Sequence, residues 1–236
     1  MKLIYLSCEW RKILLINYEV APEILLPYLP GKTEFDLYQG KCLISLAGFV
    51  FQNVKFLKIP IPFHQKFEEF NLRFYVVYKQ KDEIYRGVVF IREYVPKPFF
   101  KFLANTFARE KYECYPMKHS IEEKNDLQVS YSFKVKDRWN TVSATAESTA
   151  KVIEPRSLEE FIAEHYYGYN FRPKGLTLEY QLEHPRWSYY PLKSFEVDCR
   201  FEDYYPKEFL PYLYSEPHSA QLIEGSAVKL FPGRLI

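Results

Sequence analysis

The clearest pattern in the chain is the alternation over FEEFNLRFYVVYKQ, residues 67–80. Phe70, Leu72, Phe74 and Val76 fall on one side and Glu69, Asn71, Arg73 and Tyr75 on the other, because successive side chains of a strand point to opposite faces. YRGVVFIREYV (85–95) follows a turn at Lys81-Asp82 and predicts the hairpin partner of that strand. Alternation also marks LQVSYSFKVKDRW (127–139), expected to pair with TVSATAESTAKV (141–152). ILLINYEV (13–20), CLISLAGFVF (42–51), LTLEYQLEH (176–184), SFEVDCRF (194–201) and AQLIEGSAVKL (220–230) read as further strands, the last with a turn or bulge at Glu224-Gly225-Ser226.

Helical signals are fewer. Pro22 opens a short helix limited by Pro27 and Pro30. Pro98 stands at the first position of a helix expected over 99–110, with Phe99, Phe102, Leu103 and Phe107 as its apolar stripe. The outward face of the 67–80 strand is expected to pack against it. Ser157-Leu158-Glu159-Glu160 is a capping box that predicts a helix over 158–166 carrying Phe161, Ile162, His165 and Tyr166. Many strands, few helices and no βαβ alternation predict an α+β fold, a large, mostly antiparallel sheet or barrel with a few flanking helices. No linker or composition shift divides the chain, so residues 1–236 are expected to form one domain.

Composition narrows the function more by exclusion than by assignment. Aromatics make up 19% of the chain, with 21 Tyr among them; a tyrosine buries its ring while its hydroxyl stays paired, so the interior can be partly polar. Lys plus Arg (32) nearly cancels Asp plus Glu (30), with the signs interspersed, which argues against a nucleic-acid partner. Cys8, Cys42, Cys114 and Cys199 form no C-x-x-C pair and are expected to be reduced thiols, and the five scattered histidines carry no metal-ligand spacing. No metal is expected. G-x-S-x-G and a glycine-rich phosphate loop are both missing, so no cofactor is expected either. No apolar run approaches the roughly 20 residues that cross a bilayer, and the N-terminus shows no cleavage site. The expectation is a cytoplasmic protein with no membrane partner; homo-oligomerisation is left open.

Several stretches in chain order resemble the DUF2071 (YqjF-like) family. They are WRKILLINYEVAPEILLPYLP (10–30), FEEFNLRFYV (67–76), GVVFIREYVPKP (87–98), YPMKH (115–119), FIAEHYYGY (161–169), EHPRW (183–187) and EGSAVKL (224–230). That family resembles acetoacetate decarboxylase in fold, which implies a closed, cone-like β-barrel with a central cavity. Acetoacetate decarboxylases carry adjacent lysines in a Pro-Lys-Lys segment, one forming a Schiff base and the other lowering its pKa. Tyr115-Pro116-Met117-Lys118 resembles that segment. The resemblance then puts Met117 in the nucleophile's place and leaves Lys118 alone, with Arg109 or Lys111 to replace the missing cation.

The site residues follow from these two sources. If the Glu69, Asn71, Arg73 and Tyr75 row lines the barrel, Arg73 can clamp a ligand carboxylate and Glu69 can act as acid or base. If it does not, the row is a solvent-facing surface or a structural ion pair. Arg92 and Glu93 point to opposite faces of the next strand, so one of them at most joins the row. The resemblance adds Lys118, with Tyr115 and Met117 beside it. His165 is read as packing with a satisfied ring. Three functions fit: binding of a small organic acid or carbonyl compound in a barrel cavity, a decarboxylase- or aldolase-like Schiff-base enzyme using Lys118, and a non-catalytic protein-interaction domain whose barrel is filled by side chains.

Overall fold

The computed structural model describes residues 3–108, 110–172 and 175–236, with the side chains of Phe107 and Ala108 outside that description. Long strands dominate. In chain order they begin with β1 (Leu6–Val20), β2 (Thr33–Phe35), β3 (Cys42–Phe56), β4 (Ile59–Pro60), β5 (Lys66–Gln80) and β6 (Glu83–Val95). Helix α1 (Pro98–Leu103), extended by a wider turn over Ala104–Ala108, leads to β7 (Tyr112–Cys114), β8 (Met117–Glu123), β9 (Asp126–Val135), β10 (Arg138–Glu147) and β11 (Lys151–Val152). Helix α2 (Leu158–Ala163) precedes β12 (Tyr167–Phe171), β13 (Thr177–Glu183), β14 (Ser188–Tyr190) and β15 (Leu192–Asp198). Helix α3 (Leu210–Leu213), β16 (Ser219–Leu230) and β17 (Arg234–Leu235) complete the chain.

Seven strands close into a ring in the order β16, β1, β3, β5, β6, β12, β13 and back to β16. Every pairing in it is antiparallel except β6 with β12. A parallel pair needs a long crossover, and the chain between Val95 and Tyr167 supplies it. That crossover carries three strands of a second sheet, ordered β15, β10, β9, β8. The ring is thin at two seams of two residue pairs each: β13 with β16, at Leu182 with Leu230 and Glu183 with Lys229, and β6 with β12, at Gly87 with Tyr167 and Val88 with Gly168.

The ring strands are buried on both faces, which explains the unbroken apolar runs 13–20 and 42–51. Outward residues Leu14, Ile16, Ile44, Leu46, Phe70, Leu72 and Phe74 meet Val129, Tyr131, Phe133 and Val142 of the second sheet, with Phe201, Phe209 and Leu213 closing one side. Inward residues Leu15, Leu43, Phe49, Phe51, Phe67 and Tyr75 pack with Phe100, Phe161, Trp187 and Ile223. The two clusters share the same strands. Gly225 lies opposite Arg11 in an unbroken β1–β16 register; its φ is +78°, and a Cβ there would stand 2.0 Å from the Trp10 carbonyl oxygen. β1 itself shifts register against β3 between Arg11 and Leu14, around Lys12 at φ 54°, and this irregularity lets it bend round the ring.

Four expectations are corrected. Phe70, Leu72 and Phe74 do point away from the ring interior, but they pack on the second sheet and not on the 98–108 helix; the apolar row encoded the direction and not the identity of its partner. On that helix the buried aromatic is Phe100, while Phe99 and Phe102 are exposed and the Phe107 side chain lies outside the described residues. The capped helix has its Ser157 cap, whose side chain accepts from the Glu160 amide, but ends at Ala163 because Glu164 leaves helical geometry. The β9–β10 turn falls at Lys136-Asp137, so Trp139 belongs to the second strand, and residues 151–152 pair with β14 in the ring's sheet.

Candidate functional site

The inward row of β5 runs Phe67, Glu69, Asn71, Arg73, Tyr75, and its two ends are plugged differently. Phe67 stacks on Phe51 at 4.8 Å and meets Phe100 of α1 at 4.9 Å. Tyr75 stacks on His165 at 4.8 Å and meets Phe161 of α2 at 5.4 Å. Between the plugs the ring is not filled. A cavity of about 300 Å³ remains, with Glu69, Asn71 and Arg73 on one wall and Glu93, Glu110, Tyr112, His165 and Tyr180 around it. The rest of its lining is mainly aromatic and aliphatic, including Trp10, Phe49, Phe90 and Trp187.

Glu93 enters this group through register. It lies opposite Asn71, and a bulge in β6 between the partners of Leu72 and Arg73 places Ile91 outward while keeping both Phe90 and Glu93 inward. Glu110 arrives from the end of the α1 extension, its amide bonded to the Ala104 carbonyl at 3.3 Å. Tyr112 donates its hydroxyl to Glu69 Oε2 at 2.7 Å, and Asn71 Nδ2 donates to Glu69 Oε1 at 2.8 Å. Three carboxyl groups thus share one enclosed volume.

Electrostatics follow from that crowding. Burial pushes the Glu69 carboxyl up to about 7, opposed by its bonds from Tyr112 and Asn71 and by Arg73, and reinforced by Glu110. Burial, then repulsion from Glu110 and Glu69, pushes Glu93 well above the usual carboxylate range. Burial also raises Glu110, against the neighbouring Asn170, Glu93 and Tyr180 side chains and the Arg172 charge. Like charges in a low-dielectric site cannot all ionise, so protons stay in this cavity at pH values where ordinary carboxyls have lost them. His165 is driven down to about 4 by burial despite Asp36, whose Oδ2 lies 3.9 Å from Nε2 and is held by Arg86 at 2.6 Å. It is therefore a neutral imidazole.

Several polar atoms here make no hydrogen bond among the described residues: Asn71 Oδ1, Arg73 Nε, Glu93 Oε2 and both ring nitrogens of His165. The expectation of a satisfied His165 ring is thereby corrected, although the ring does pack on Tyr75. Arg73 has only a 3.4 Å bond to the Ile162 carbonyl and a 5.8 Å approach to the Tyr75 ring. The sequence-derived row divides here: Glu69, Asn71 and Arg73 line the cavity, and Tyr75 closes its end, with its hydroxyl 2.5 Å from Ser45 Oγ.

The other three candidates lie elsewhere. Lys118 is exposed on β8 of the second sheet, its Nζ 4.4 Å over the Trp139 ring. Met117 is half-buried in the outer core, and Tyr115 packs on Tyr94 at 5.3 Å and donates to Glu113 at 2.9 Å. Lys111 is exposed and Arg109 lies outside the described residues. No lysine is among the described residues that line the cavity. Among the described residues no three or more His, Cys, Asp or Glu are placed to hold a metal ion, and no helix is long and apolar enough to cross a membrane.

This closed ring of strands has the acetoacetate decarboxylase-like fold. Over 98% of the chain it superposes on the enduracididine biosynthesis enzyme MppR (TM-score 0.69, 11% identity, 87% of that chain). It matches an acetoacetate decarboxylase-like enzyme from Sphingomonas wittichii RW1 over the same share (0.67, 10%, 93% of that chain) and acetoacetate decarboxylase from Legionella pneumophila likewise (0.65, 12%, 87%). At these identities the likeness is one of fold alone. The chain belongs to the DUF2071 family of uncharacterized conserved proteins, whose model matches residues 7–226. It is 30% identical to the uncharacterized protein YqjF of Bacillus subtilis over 183 residues, covering 75% of this chain and 72% of that one.

Proposed function

We propose that the protein binds a small organic acid or carbonyl compound in the ring cavity, with Arg73 receiving the ligand's carboxylate and Glu69 and Asn71 meeting its carbonyl region. The observation that carries this reading is the cavity of about 300 Å³ lined by Glu69, Asn71, Arg73 and Glu93, in whose walls Asn71 Oδ1, Arg73 Nε and Glu93 Oε2 lie buried without hydrogen-bond partners. It lies at the small end of ligand sites, which are mostly apolar with a few convergent polar groups. A barrel filled by side chains, as a purely structural domain would have, leaves no such volume. Burial pushes the three carboxyls toward their neutral forms beside the Arg73 guanidinium, which favours an anion. Support by analogy comes from MppR, which is itself found complexed with pyruvate.

Calorimetric titration with pyruvate, acetoacetate and phenylpyruvate at pH 6 tests this. At least one should bind saturably, and Arg73→Met should weaken it roughly 10- to 100-fold, the scale of a lost charge-assisted pair. Affinity should fall as pH rises through about 7, where Glu69 ionises. No binding by any of the three defeats the proposal.

The Schiff-base alternative has less support. An amine attacks a carbonyl at neutral pH when burial or a neighbouring cation removes its proton, and Lys118 is exposed and away from the cavity. Incubation with acetoacetate followed by borohydride should leave the intact mass unchanged. A stoichiometric adduct, lost in Lys118→Ala, would reinstate that alternative.

A further inference from the structure

Resting on the binding reading above, we infer that the cavity enolises a 2-oxo acid with an aromatic side chain, Glu69 taking the proton from the carbon next to the carbonyl and Glu93 holding the carbonyl oxygen as a carboxylic acid. The argument starts from what the cavity lacks. With no lysine among its described lining residues, the electrons released by proton loss cannot flow into an iminium, and they must be received by a hydrogen-bonded oxygen. Glu93 lines the cavity, is 1% exposed, faces Asn71 across the β5–β6 pair and has its Oε2 buried without a hydrogen-bond partner. Glu69 is 2% exposed and is held from both sides by Tyr112 and Asn71, which fixes its carboxyl in place.

The two acids have different tasks because their surroundings differ. Glu69 is faced by Tyr112, Arg73, Asn71, Glu93 and Glu110, with Cys8 of β1 nearby. Its donors and Arg73 favour the carboxylate, so it ionises first. Glu93 is pushed up first by burial, then by repulsion from Glu110 and Glu69 and by its contact with the Glu110 carboxyl, and keeps its proton. Two carboxyls whose environments push them apart define an acid and a base, and a base with a pKa near the working pH is an effective one.

The step balances without a co-reactant. The Glu69 carboxylate takes a proton from C3, and that C–H pair becomes the C2=C3 double bond. The carbonyl π pair moves to the C2 oxygen, which receives the Glu93 hydrogen bond or proton. Return of the proton to C3 regenerates the oxo acid. Arg73 holds the C1 carboxylate throughout. An aromatic side chain is inferred because Phe49, Phe51, Phe90, Phe100 and Trp187 form the apolar wall, and a three-carbon acid would leave most of the volume empty.

Exchange of the C3 hydrogens of phenylpyruvate for deuterium, followed by NMR in D2O at neutral pH, tests the inference. The wild-type protein should speed exchange above the buffer background. Glu69→Gln should lower the enzymatic rate on the order of 100-fold or more, the two proteins being compared at saturating phenylpyruvate so that a change in affinity does not enter. Glu93→Leu should lose the activity too, and Glu93→Gln, whose amide still donates a hydrogen bond, should keep part of it. Phenylpyruvate bound with exchange at background overturns enolisation and leaves the binding proposal standing. Exchange by Glu69→Gln at the wild-type rate overturns Glu69 as the base. Absence of binding by any tested oxo acid is the separate failure of the binding proposal.

Discussion

Phe133→Ala should destabilise the protein by about 3–5 kcal/mol, the range for emptying a buried aromatic site, and lower Tm by roughly 10 °C for a chain of this size. Phe133 is fully buried on β9 and is the main aromatic contact by which the second sheet grips the ring. Its ring lies 4.7 Å from Phe70 of β5, 5.4 Å from Tyr94 of β6 and 4.9 Å from Tyr204. Those neighbours are rigid rings on three separate segments, so they cannot collapse into the vacancy together, and the cavity term adds to the lost transfer energy. Phe195→Ala on β15 of the same sheet should cost under about 1 kcal/mol, because that ring is 40% exposed. Urea denaturation of the two variants decides the matter: equal, small losses would mean that the second sheet is not anchored through Phe133. Ligand affinity in the surviving folded protein should be unchanged, since Phe133 packs on the outward face of the ring strands and the cavity lies on the inward one.

The contrast between those faces shows what the chain discloses in one dimension. The period-2 row of 67–80 identified β5 and separated its polar and apolar sides, because a strand has only two sides to choose from. It could not say what covered the apolar side, since a phenylalanine packs as well on a helix as on a sheet, and the second sheet comes from strands that begin with Met117, far along the chain from Gln80 where β5 ends. Register was half legible. Arg92 and Glu93 had to face opposite ways, but the bulge near Ile91 that sets Glu93 opposite Asn71 leaves no glycine or proline mark in IREYV. Glu110 was invisible, being one more acid in a helical stretch until a wide turn carries it to the cavity. Gly87 had a signal of a kind, since no side chain fits there against Tyr169 and the Tyr167 carbonyl. Lys118 shows the opposite error. YPMKH resembles a functional segment, yet in β8 alternation turns Met117 toward the core and Lys118 to water.

The same crowding of acids that shapes the site should be visible in the stability of the folded protein. Glu69→Gln should stabilise it, by under about 1 kcal/mol at pH 5 and by about 3 kcal/mol at pH 8. The sign follows from the direction of the shift. Folding raises the Glu69 carboxyl from 4.5 to about 7, so the native state holds this proton more tightly than the unfolded chain does. The stability linked to that proton is complete below pH 4.5 and is lost as pH rises to about 7, above which the penalty is constant. A glutamine carries no charge at any of these pH values and still accepts from Tyr112, whose hydroxyl bonds Glu69 Oε2 in the parent. Glu93 and Glu110 lose a repelling neighbour in the variant, which adds to the gain at high pH. Groups of the opposite kind set the acid limb: Asp36 and Glu68 are lowered by folding and His165 is held neutral, so all three weaken the fold as pH falls. Unfolding free energies of both proteins across pH 5–8.5 provide the test. A wild-type curve that falls between pH 5 and pH 7 and flattens in the variant is the expected result. Parallel curves would show that Glu69 titrates as an ordinary surface carboxyl, and that its carboxylate is not confined among Tyr112, Glu93 and Glu110 in the way the cavity requires.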